Sequence, residues 1–310
     1  MKCYTSAAFS ARSYIMTGLI LINKPKGITS FQAVARVRRL TGEKKCGHTG
    51  TLDPMAQGVM TVMLGGATRF CELLPDHGKA YRATVLLGTV TDTLDITGEV
   101  LATNEVNVTP DEFTAVLGEF VGEIEQVPPM YSAVSVNGQR LYDLARKGVE
   151  VERKARKVTV SEIKLVSCDG EKGEYVIDVS CSAGTYIRTL AADIGERLGC
   201  GAVLTELIRT RANGFDISQT LTIEELEEKI NAGDASFISK VEDALAAYPE
   251  ITVSAAQAKR FSNGGELDLQ RVKTDVTQGA ARVYSPEKVF LGLGEIADGA
   301  LKVKRVYNET

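Results

Sequence analysis

The spacing of apolar residues changes several times along the chain, and each change predicts a different element. A continuous apolar run at 18–23 predicts a buried strand, and alternating apolar residues at 81–88 and 175–182 predict two half-buried strands. Capping residues ahead of a helical period predict a basic helix ending at Gly42, helices at 109–120 and 184–199, and an acidic helix capped by Thr222. Because strands and helices mix without a repeating strand–helix–strand unit, we predict an α+β fold with a mixed, largely antiparallel central sheet flanked by helices.

The pattern changes again after Pro249. A short helix capped by Ser254 precedes three short strand-like pieces, ARVYS, VFLGLGEI and LKVKRVY. These pieces predict a small β-rich module at 249–310, separate from a larger domain at 17–248.

The chain lacks the sequence signals of membrane and secreted proteins. Its longest aliphatic run, LILI at 19–22, is far shorter than the about 18 apolar residues that a membrane span needs. The six cysteines have neither framework nor zinc-site spacing, and Cys46 and His48 have no C-x2-C partner. We therefore expect reduced thiols, no bound metal and a cytoplasmic location. Residues 1–16 are expected to be a disordered extension, with Met16 starting the ordered chain.

Charge is segregated along the chain, although the net charge is only −4. Residues 1–50 hold nine Lys and Arg against one acid, and residues 137–160 hold seven against three. Residues 89–126 hold nine acids and no base, and residues 216–250 hold nine acids and two bases. This distribution fits one basic and one acidic face, and it equally fits ordinary solvated surfaces.

A glycine-rich stretch, GHTGTLDPMAQGV at 47–59, holds a single carboxylate, Asp53. Pro54 biases Asp53 towards an extended backbone, and the glycines allow tight turns and a closely approaching ligand. We predict a loop in which Asp53 is either a catalytic carboxylate or the capping group of a helix or Asx-turn. Arg188, in the first turn of the helix at 184–199, is a candidate partner that would favour the ionised carboxylate.

The segment 131–148 interleaves basic and aromatic side chains. Arg140, Arg146 and Lys147 alternate with Tyr131 and Tyr142 in a predicted loop and short helix. Such interleaving suits RNA phosphates and exposed bases, although a solvated basic helix would have the same composition.

Five long motifs closely resemble those of the bacterial TruB-type tRNA pseudouridine synthases, in this order: LINKPKGITS, GHTGTLDPMAQGV, KAYRATVLLGTVTDTLDITGEV, PPMYSAVSVNGQRLYDLARKG and CSAGTYIRTLAADIGERLGCGA. The resemblance is strong over about residues 17–215, and the tail is similar to the PUA-type RNA-binding β-barrel of that family. It implies a pseudouridine-synthase fold and a catalytic domain at 17–248. It also implies isomerisation of uridine 55 in the T-loop of tRNA, without a cofactor, by a monomer that binds the T-arm.

The resemblance also assigns roles to individual residues. It implies that Asp53 is the catalytic residue and that the substrate is bound by His48, Tyr81, Tyr186, Arg188 and Leu207. Direct contacts to RNA are expected from Lys24, Arg140, Arg146 and Lys147. The basic segments 28–41 and 137–157 are expected on the RNA face and the acidic segments away from it, apart from Asp92 and Asp95 near the cleft.

The reaction implied by the resemblance explains a lone carboxylate. Glycoside hydrolysis uses two carboxyl groups, one of them to protonate the leaving group or activate water. Uracil leaves as an acceptable anion and stays in its pocket, so Asp53 either attacks C1′ or removes the 2′ proton. The target base must first be flipped out of its stack.

This chain departs from the family pattern at two positions. Ser135 stands where Lys is usual, and Ile208 stands where Arg is usual. Both departures weaken the expected RNA contacts without touching the chemistry. Two rival interpretations remain at this point, a non-enzymatic RNA-binding protein and a hydrolase of small glycosides.

Overall fold

The structure is a computed structural model that describes residues 16–75, 77–132, 134–136 and 138–308. The extension expected at 1–16 lies, except for Met16, outside these residues. The strands are β1 Gly18–Lys24, β2 Cys46–His48, β3 Gln57–Leu64, β4 Lys79–Leu87, β5 Thr89–Thr91, β6 Val100–Thr103, β7 Gly122–Gln126, β8 Ser135–Val136, β9 Gln139–Arg140, β10 Arg156–Asp169, β11 Glu174–Cys181, β12 Ala202–Ala212, β13 Phe215–Asp216, β14 Glu250–Thr252, β15 Leu267–Asp268, β16 Gly279–Tyr284, β17 Phe290–Ala297 and β18 Ala300–Val306. The helices are α1 Ser30–Thr41, α2 Pro110–Glu119, α3 Leu141–Ala145, α4 Ile187–Arg197, α5 Ile223–Asn231 and α6 Ala255–Ser262.

A large mixed sheet forms the centre of the molecule, in the order β1-β3-β12-β4-β11-β10-β7. Strands β3 and β12 pair in parallel, whereas the other neighbours along this order are antiparallel. The predicted α+β class and the mixed, largely antiparallel sheet are therefore confirmed. In the described part of the chain, no helix is long and apolar enough to cross a membrane.

Four of the helices, α1, α2, α5 and α6, begin where their capping residues predict. Thr29 and Thr109 each accept a hydrogen bond from the backbone of the third helical residue, whose side chain bonds back to the cap. Thr222 and Ser254 form the same capping box ahead of α5 and α6. Because a capping box satisfies otherwise unpaired N–H groups within four residues, it is readable from local sequence alone.

Helices α2 and α4 pack against the central sheet. Helix α4 contributes Leu190 and Ile194 to a cluster with strands β4, β11 and β12. Phe113 of α2 stacks on Tyr175 of β11 with ring centroids 4.1 Å apart. This packing fixes α4, and with it the position of Arg188, relative to the central strands.

A second sheet, β14-β16-β17-β18-β15, forms the C-terminal β-rich module. It curls into a half-barrel around its own apolar cluster, which includes Ile251, Phe261 and Leu301. Phe290 and Tyr307 pack against Phe70, so the half-barrel shares apolar contacts with the larger body.

Two sequence-based expectations were wrong in their boundaries. The stretch at 47–59 is a loop only at 49–56, because Gly47 and His48 belong to β2 and residues 57–59 begin β3. The helix expected at 184–199 begins at Ile187, because Gly184 has a φ of +87° and Tyr186 is extended. Tyr186 is thus the residue before the helix instead of part of its first turn.

Candidate active site

The loop that carries Asp53 is fixed by contacts with the start of α1. Ser30 Oγ donates to the Leu52 carbonyl (2.9 Å) and accepts from the Leu52 N–H (2.8 Å). The Gly27 N–H donates to the Pro54 carbonyl (2.7 Å). These bonds hold the backbone on both sides of Asp53, while about a third of its side chain stays exposed. The carboxylate is therefore held at a fixed place and remains accessible to a ligand.

Arg188 is the partner of Asp53. Its Nε lies 2.8 Å from Asp53 Oδ2 as a close ion pair without hydrogen-bond alignment, and its side chain is 4% exposed. The predicted pairing of Arg188 with Asp53 is confirmed as a contact, whereas the catalytic role of each residue stays a prediction. A cation held this close attracts the carboxylate and helps to fix its orientation.

A second carboxylate, Asp95, lies behind Arg188. Its Oδ2 is 3.6 Å from Arg188 Nη1, and its side chain is 6% exposed. Asp95 Oδ1 accepts from the Thr97 N–H (2.9 Å) and the Thr93 hydroxyl (3.0 Å). Arg188 also donates to the carbonyls of Thr93 (3.0 Å) and Tyr131 (2.7 Å). The expected position of Asp95 near the cleft is confirmed, with Oδ2 facing Arg188 and Oδ1 taken by the two threonines.

The opposite wall is built from β4 and β12. Tyr81 and Arg209 are cross-strand neighbours, and their side chains interact. Arg209 is 1% exposed and donates to the carbonyls of Val59 (2.7 Å), Gly50 (3.1 Å) and Thr51 (3.3 Å). It therefore ties Tyr81 to the loop that carries Asp53.

The ionisation of Tyr81 is strongly perturbed. Burial raises its pKa to about 12, and the nearby Arg209 only partly offsets this rise. At neutral pH the phenol is thus a neutral group, with on the order of one molecule in 10⁵ ionised. It can donate a hydrogen bond and present an aromatic ring, but it is a weak base in this state.

These walls enclose a cavity of about 240 Å³. Five of the residues predicted to act on the substrate line it, namely Asp53, Tyr81, Tyr186, Arg188 and Leu207. The sequence placed these residues far apart, and the fold brings them together. The other lining residues are Thr51, Leu52, Lys79, Ser132, Gly184, Thr185 and Ile187.

Tyr186 is held at the cavity by Gln126, the last residue of β7. The Gln126 side chain accepts from the Tyr186 N–H (3.0 Å) and donates to the Tyr186 carbonyl (3.3 Å). Because Tyr186 precedes α4 without a side-chain cap, this buried amide takes over part of the capping.

His48 does not line the cavity. It is half-buried at the end of β2, and burial lowers its pKa below the usual range. Its Nδ1 is buried and has no hydrogen-bond partner within the described ranges. A contact between His48 and RNA stays a prediction.

The expectation that Lys24 contacts RNA directly is wrong in this structure. Lys24 is fully buried, and its ammonium donates to the carbonyls of Ile28 (2.7 Å) and Pro25 (2.9 Å). The turn before α1 folds over the lysine and leaves it no surface. Burial lowers the pKa of Lys24 to about 8, against a smaller opposing effect of the nearby Asp53.

The basic residues expected to contact RNA lie on a separate concave surface. Arg140, Arg146 and Lys147 line it together with Asp143. The Arg146 guanidinium lies 5.7 Å from the centre of the Tyr142 ring. The two residues that depart from the family pattern are both at least partly accessible to solvent, since Ser135 is exposed and Ile208 is half-buried.

Sequence reasoning missed Arg209, Lys79 and Ser30 as parts of this site. The only signal available was alternation, because Lys79 and Tyr81 share one face of β4. Their contacts with the Asp53 loop join positions some 22 to 159 residues apart, which periodicity does not reveal. Within the residues that the structure describes, no group of three His, Cys, Asp or Glu side chains is arranged to hold a metal.

Comparison with known proteins agrees with this arrangement. Residues 38–187 match the model of the TruB family pseudouridylate synthase N-terminal domain, and residues 188–246 match the tRNA pseudouridylate synthase B C-terminal domain. Residues 249–307 match the C-terminal model of pseudouridine synthase II TruB.

Whole-chain relatives point to the same family. The chain is 43% identical to the tRNA pseudouridine synthase B of Azoarcus sp. (strain BH72), over 94% of this chain and 95% of the relative. It is 42% identical to the enzyme of the same name from Clostridium perfringens (strain 13), over 95% and 100%. Among solved structures, a chain of a Cbf5–Nop10–Gar1 complex superposes with a TM-score of 0.74 at 26% identity, covering 95% of this chain and 86% of the other. With matching family models along its length and relatives of this similarity, the chain belongs to the TruB family of pseudouridine synthases.

Proposed function

We propose that this chain converts uridine 55 in the T-loop of tRNA to pseudouridine, with Asp53 as its single catalytic carboxylate. The observation that carries this proposal is the cavity, in which Asp53 is the sole carboxylate among the described lining residues. Curated relatives at 42–43% identity are named tRNA pseudouridine synthase B, which supports tRNA as the substrate.

The isomerisation breaks the bond from C1′ to N1 of uracil and forms a bond from C1′ to C5. The uracil anion rotates between the two steps, C5 then loses its proton, and N1 gains one, so no redox change occurs. Asp53 starts the reaction either by attacking C1′ or by removing the proton from C2′. A substrate deuterated at C2′ separates these routes, because only proton removal gives a primary isotope effect in a single turnover.

Asp95 does not serve as a second catalytic carboxylate in this proposal. It is buried on the far side of Arg188; its Oδ1 accepts hydrogen bonds from Thr93 and Thr97, and its Oδ2 faces Arg188. A glycosidase needs its second carboxyl group at the leaving group or at a water molecule. This arrangement therefore favours recapture of uracil over hydrolysis.

The cavity would receive the target base after it leaves its stack in the RNA. Tyr81 offers an aromatic ring beside Asp53, and Leu207 supplies an apolar wall. The basic concave surface at 138–147 and the half-barrel module at 249–310 are proposed to bind the surrounding tRNA. Base stacking would add to these electrostatic contacts.

The test is to map pseudouridine in unmodified tRNA transcripts after incubation with the protein. The expected product carries one pseudouridine, at position 55, and a transcript with cytidine at that position stays unmodified. Modification at another position would overturn the assignment of uridine 55. Release of free uracil would contradict isomerisation altogether.

A further inference from the structure

Lys79 is a cation inside the cavity with no assigned partner. It begins β4, lies on the same strand face as Tyr81, and lines the cavity together with Asp53. Within the described residues, its ammonium takes part in no hydrogen bond or ion pair, although the side chain is half-buried. Burial and the nearby Arg209 lower the pKa of Lys79, so the protein environment itself does not compensate this charge.

Arg209 places a second uncompensated cation beside Lys79. A Cβ atom built on Gly50 would lie 3.5 Å from Lys79 Nζ and 3.6 Å from Arg209 Nη1, so the two nitrogens are at most about 7 Å apart. Arg209 is bonded to backbone carbonyls, and in the described part of the chain it forms no ion pair with Asp or Glu. Two buried or half-buried cations this close repel each other unless an anion is supplied.

The two walls of the cavity therefore differ in charge. On one wall, Arg188 is shared by Asp53 and Asp95. On the other wall, Lys79 and Arg209 have no carboxylate partner among the described residues. An anionic ligand would supply the missing partner, and in an RNA the anion attached to every nucleoside is a phosphodiester.

We propose that Lys79, supported by the charge of Arg209 behind it, binds a phosphodiester adjoining the target uridine. This inference rests on the proposed function, because that function makes the ligand an RNA. Arg209 is too buried to contact the phosphate itself, so Lys79 makes the contact and Arg209 strengthens the local field.

Such a contact has a specific use in this reaction. While the bond between C1′ and uracil is broken, the base and the ribose are no longer joined and must be held separately. A phosphate fixed at Lys79 holds the ribose over Asp53 as the base rotates. Lys79 is thus a substrate-binding residue that keeps C1′ within reach of the detached base.

The experiment measures binding of T-arm oligoribonucleotides that carry one neutral methylphosphonate at a time near the target uridine. The methylphosphonate linkage is introduced together with a 2′-deoxy sugar. Each oligonucleotide is therefore compared with one that has this 2′-deoxy sugar and an ordinary phosphate at the same linkage. We expect one position at which the wild type loses affinity by about 10- to 100-fold, as for loss of a charge-assisted hydrogen bond. Lys79→Met should bind both oligonucleotides equally at that position, and Lys79→Arg should restore the discrimination.

Lys164→Met is the matched control. Lys164 is an exposed lysine on β10 that pairs with Glu162 at 2.7 Å, so its loss should leave the methylphosphonate pattern of the wild type unchanged. The proposal is overturned if the wild type is insensitive at every position, a result that depends on no variant. It is also overturned if folded Lys79→Met keeps the full sensitivity. Failure to form pseudouridine in the unsubstituted RNA would instead contradict the proposed function, because the phosphate contact is read from binding alone.

Discussion

Replacement of Arg188 by methionine removes the cation that lies between Asp53 and Asp95. Because Asp95 is 4% exposed, the variant leaves a buried carboxylate without its positive neighbour. Breaking a buried ion pair in this way costs about 3–5 kcal/mol of unfolding free energy. Asp53 is partly exposed and contributes little to this cost, since solvent screens its charge. The two carbonyls that accept from Arg188 lose their partner as well.

The same substitution should lower catalysis independently of stability. Asp53 would keep its place in the loop and lose the neighbouring charge that orients it. We expect the single-turnover rate at saturating RNA to fall by about 100-fold or more, the usual effect of removing one preorganised electrostatic group. Arg188→Lys should fall between the wild type and Arg188→Met, because one ammonium group does not reach all the acceptors of a guanidinium.

Two assays and one control separate these effects. Urea denaturation gives the stability. The rate of pseudouridine formation is measured without urea, at a temperature at which each variant is folded. Arg197→Met lies on the same helix and removes an exposed ion pair with Glu119, so it should leave both the stability and the rate close to those of the wild type. A folded Arg188→Met protein with a rate within threefold of the wild type would refute the reasoning.

Three further substitutions probe how the site is held. Ser30→Ala removes both hydrogen bonds to the Asp53 loop and should lower stability by about 1–3 kcal/mol, so an unchanged urea midpoint would contradict that anchoring. In Gly58→Ala the new Cβ would lie only 2.7 Å from Arg209 N, at a backbone φ of +113°. Gly122→Ala is the control, because Gly122 has a similar φ of +104° and open space around its Cβ position. Gly58→Ala should destabilise the protein more than Gly122→Ala, and equal urea midpoints would rule out the clash. Burial lowers the pKa of Lys24 from 10.5 to about 8, so between pH 8 and 10.5 the unfolded chain binds this proton and the folded chain does not. Wild-type stability should therefore rise with pH relative to Lys24→Met in this window, and a difference independent of pH would show that the folded pKa is not lowered.

Features of the fold could be predicted from the sequence where the interacting residues are close together along the chain, and not where they are far apart. The end of helix α1 at Gly42 could be predicted, and its cap could be narrowed to Thr29 or Ser30, because both ends are capped locally. The start of helix α4 was placed about one turn too early. The N–H of Tyr186, the residue before the helix, is bonded by Gln126, which lies 60 positions away in the sequence. The resemblance to the TruB-type synthases implied an RNA contact for Lys24, and only the folded turn shows that this lysine is buried.

The motifs predicted more of the candidate site than the periodicity of apolar residues did. The pairing of Asp53 with Arg188 could be anticipated because the resemblance implies it and a carboxylate in a partly dry site is stabilised by a cation. The links from Arg209 to the Asp53 loop could not, because they run from side chain to backbone carbonyls. Every residue type has a backbone carbonyl, so the sequence does not show which carbonyls accept hydrogen bonds from Arg209.

The central claim is that Asp53 alone supplies the catalytic carboxylate. The most direct test is Asp53→Asn, an almost isosteric change, assayed for pseudouridine formation in a single turnover at saturating tRNA. Asp178→Asn, which alters a similarly part-exposed carboxylate paired with Arg82, is the control and should turn over like the wild type. We predict that folded Asp53→Asn protein binds tRNA and forms no detectable pseudouridine. Turnover near that of the wild type would contradict the account.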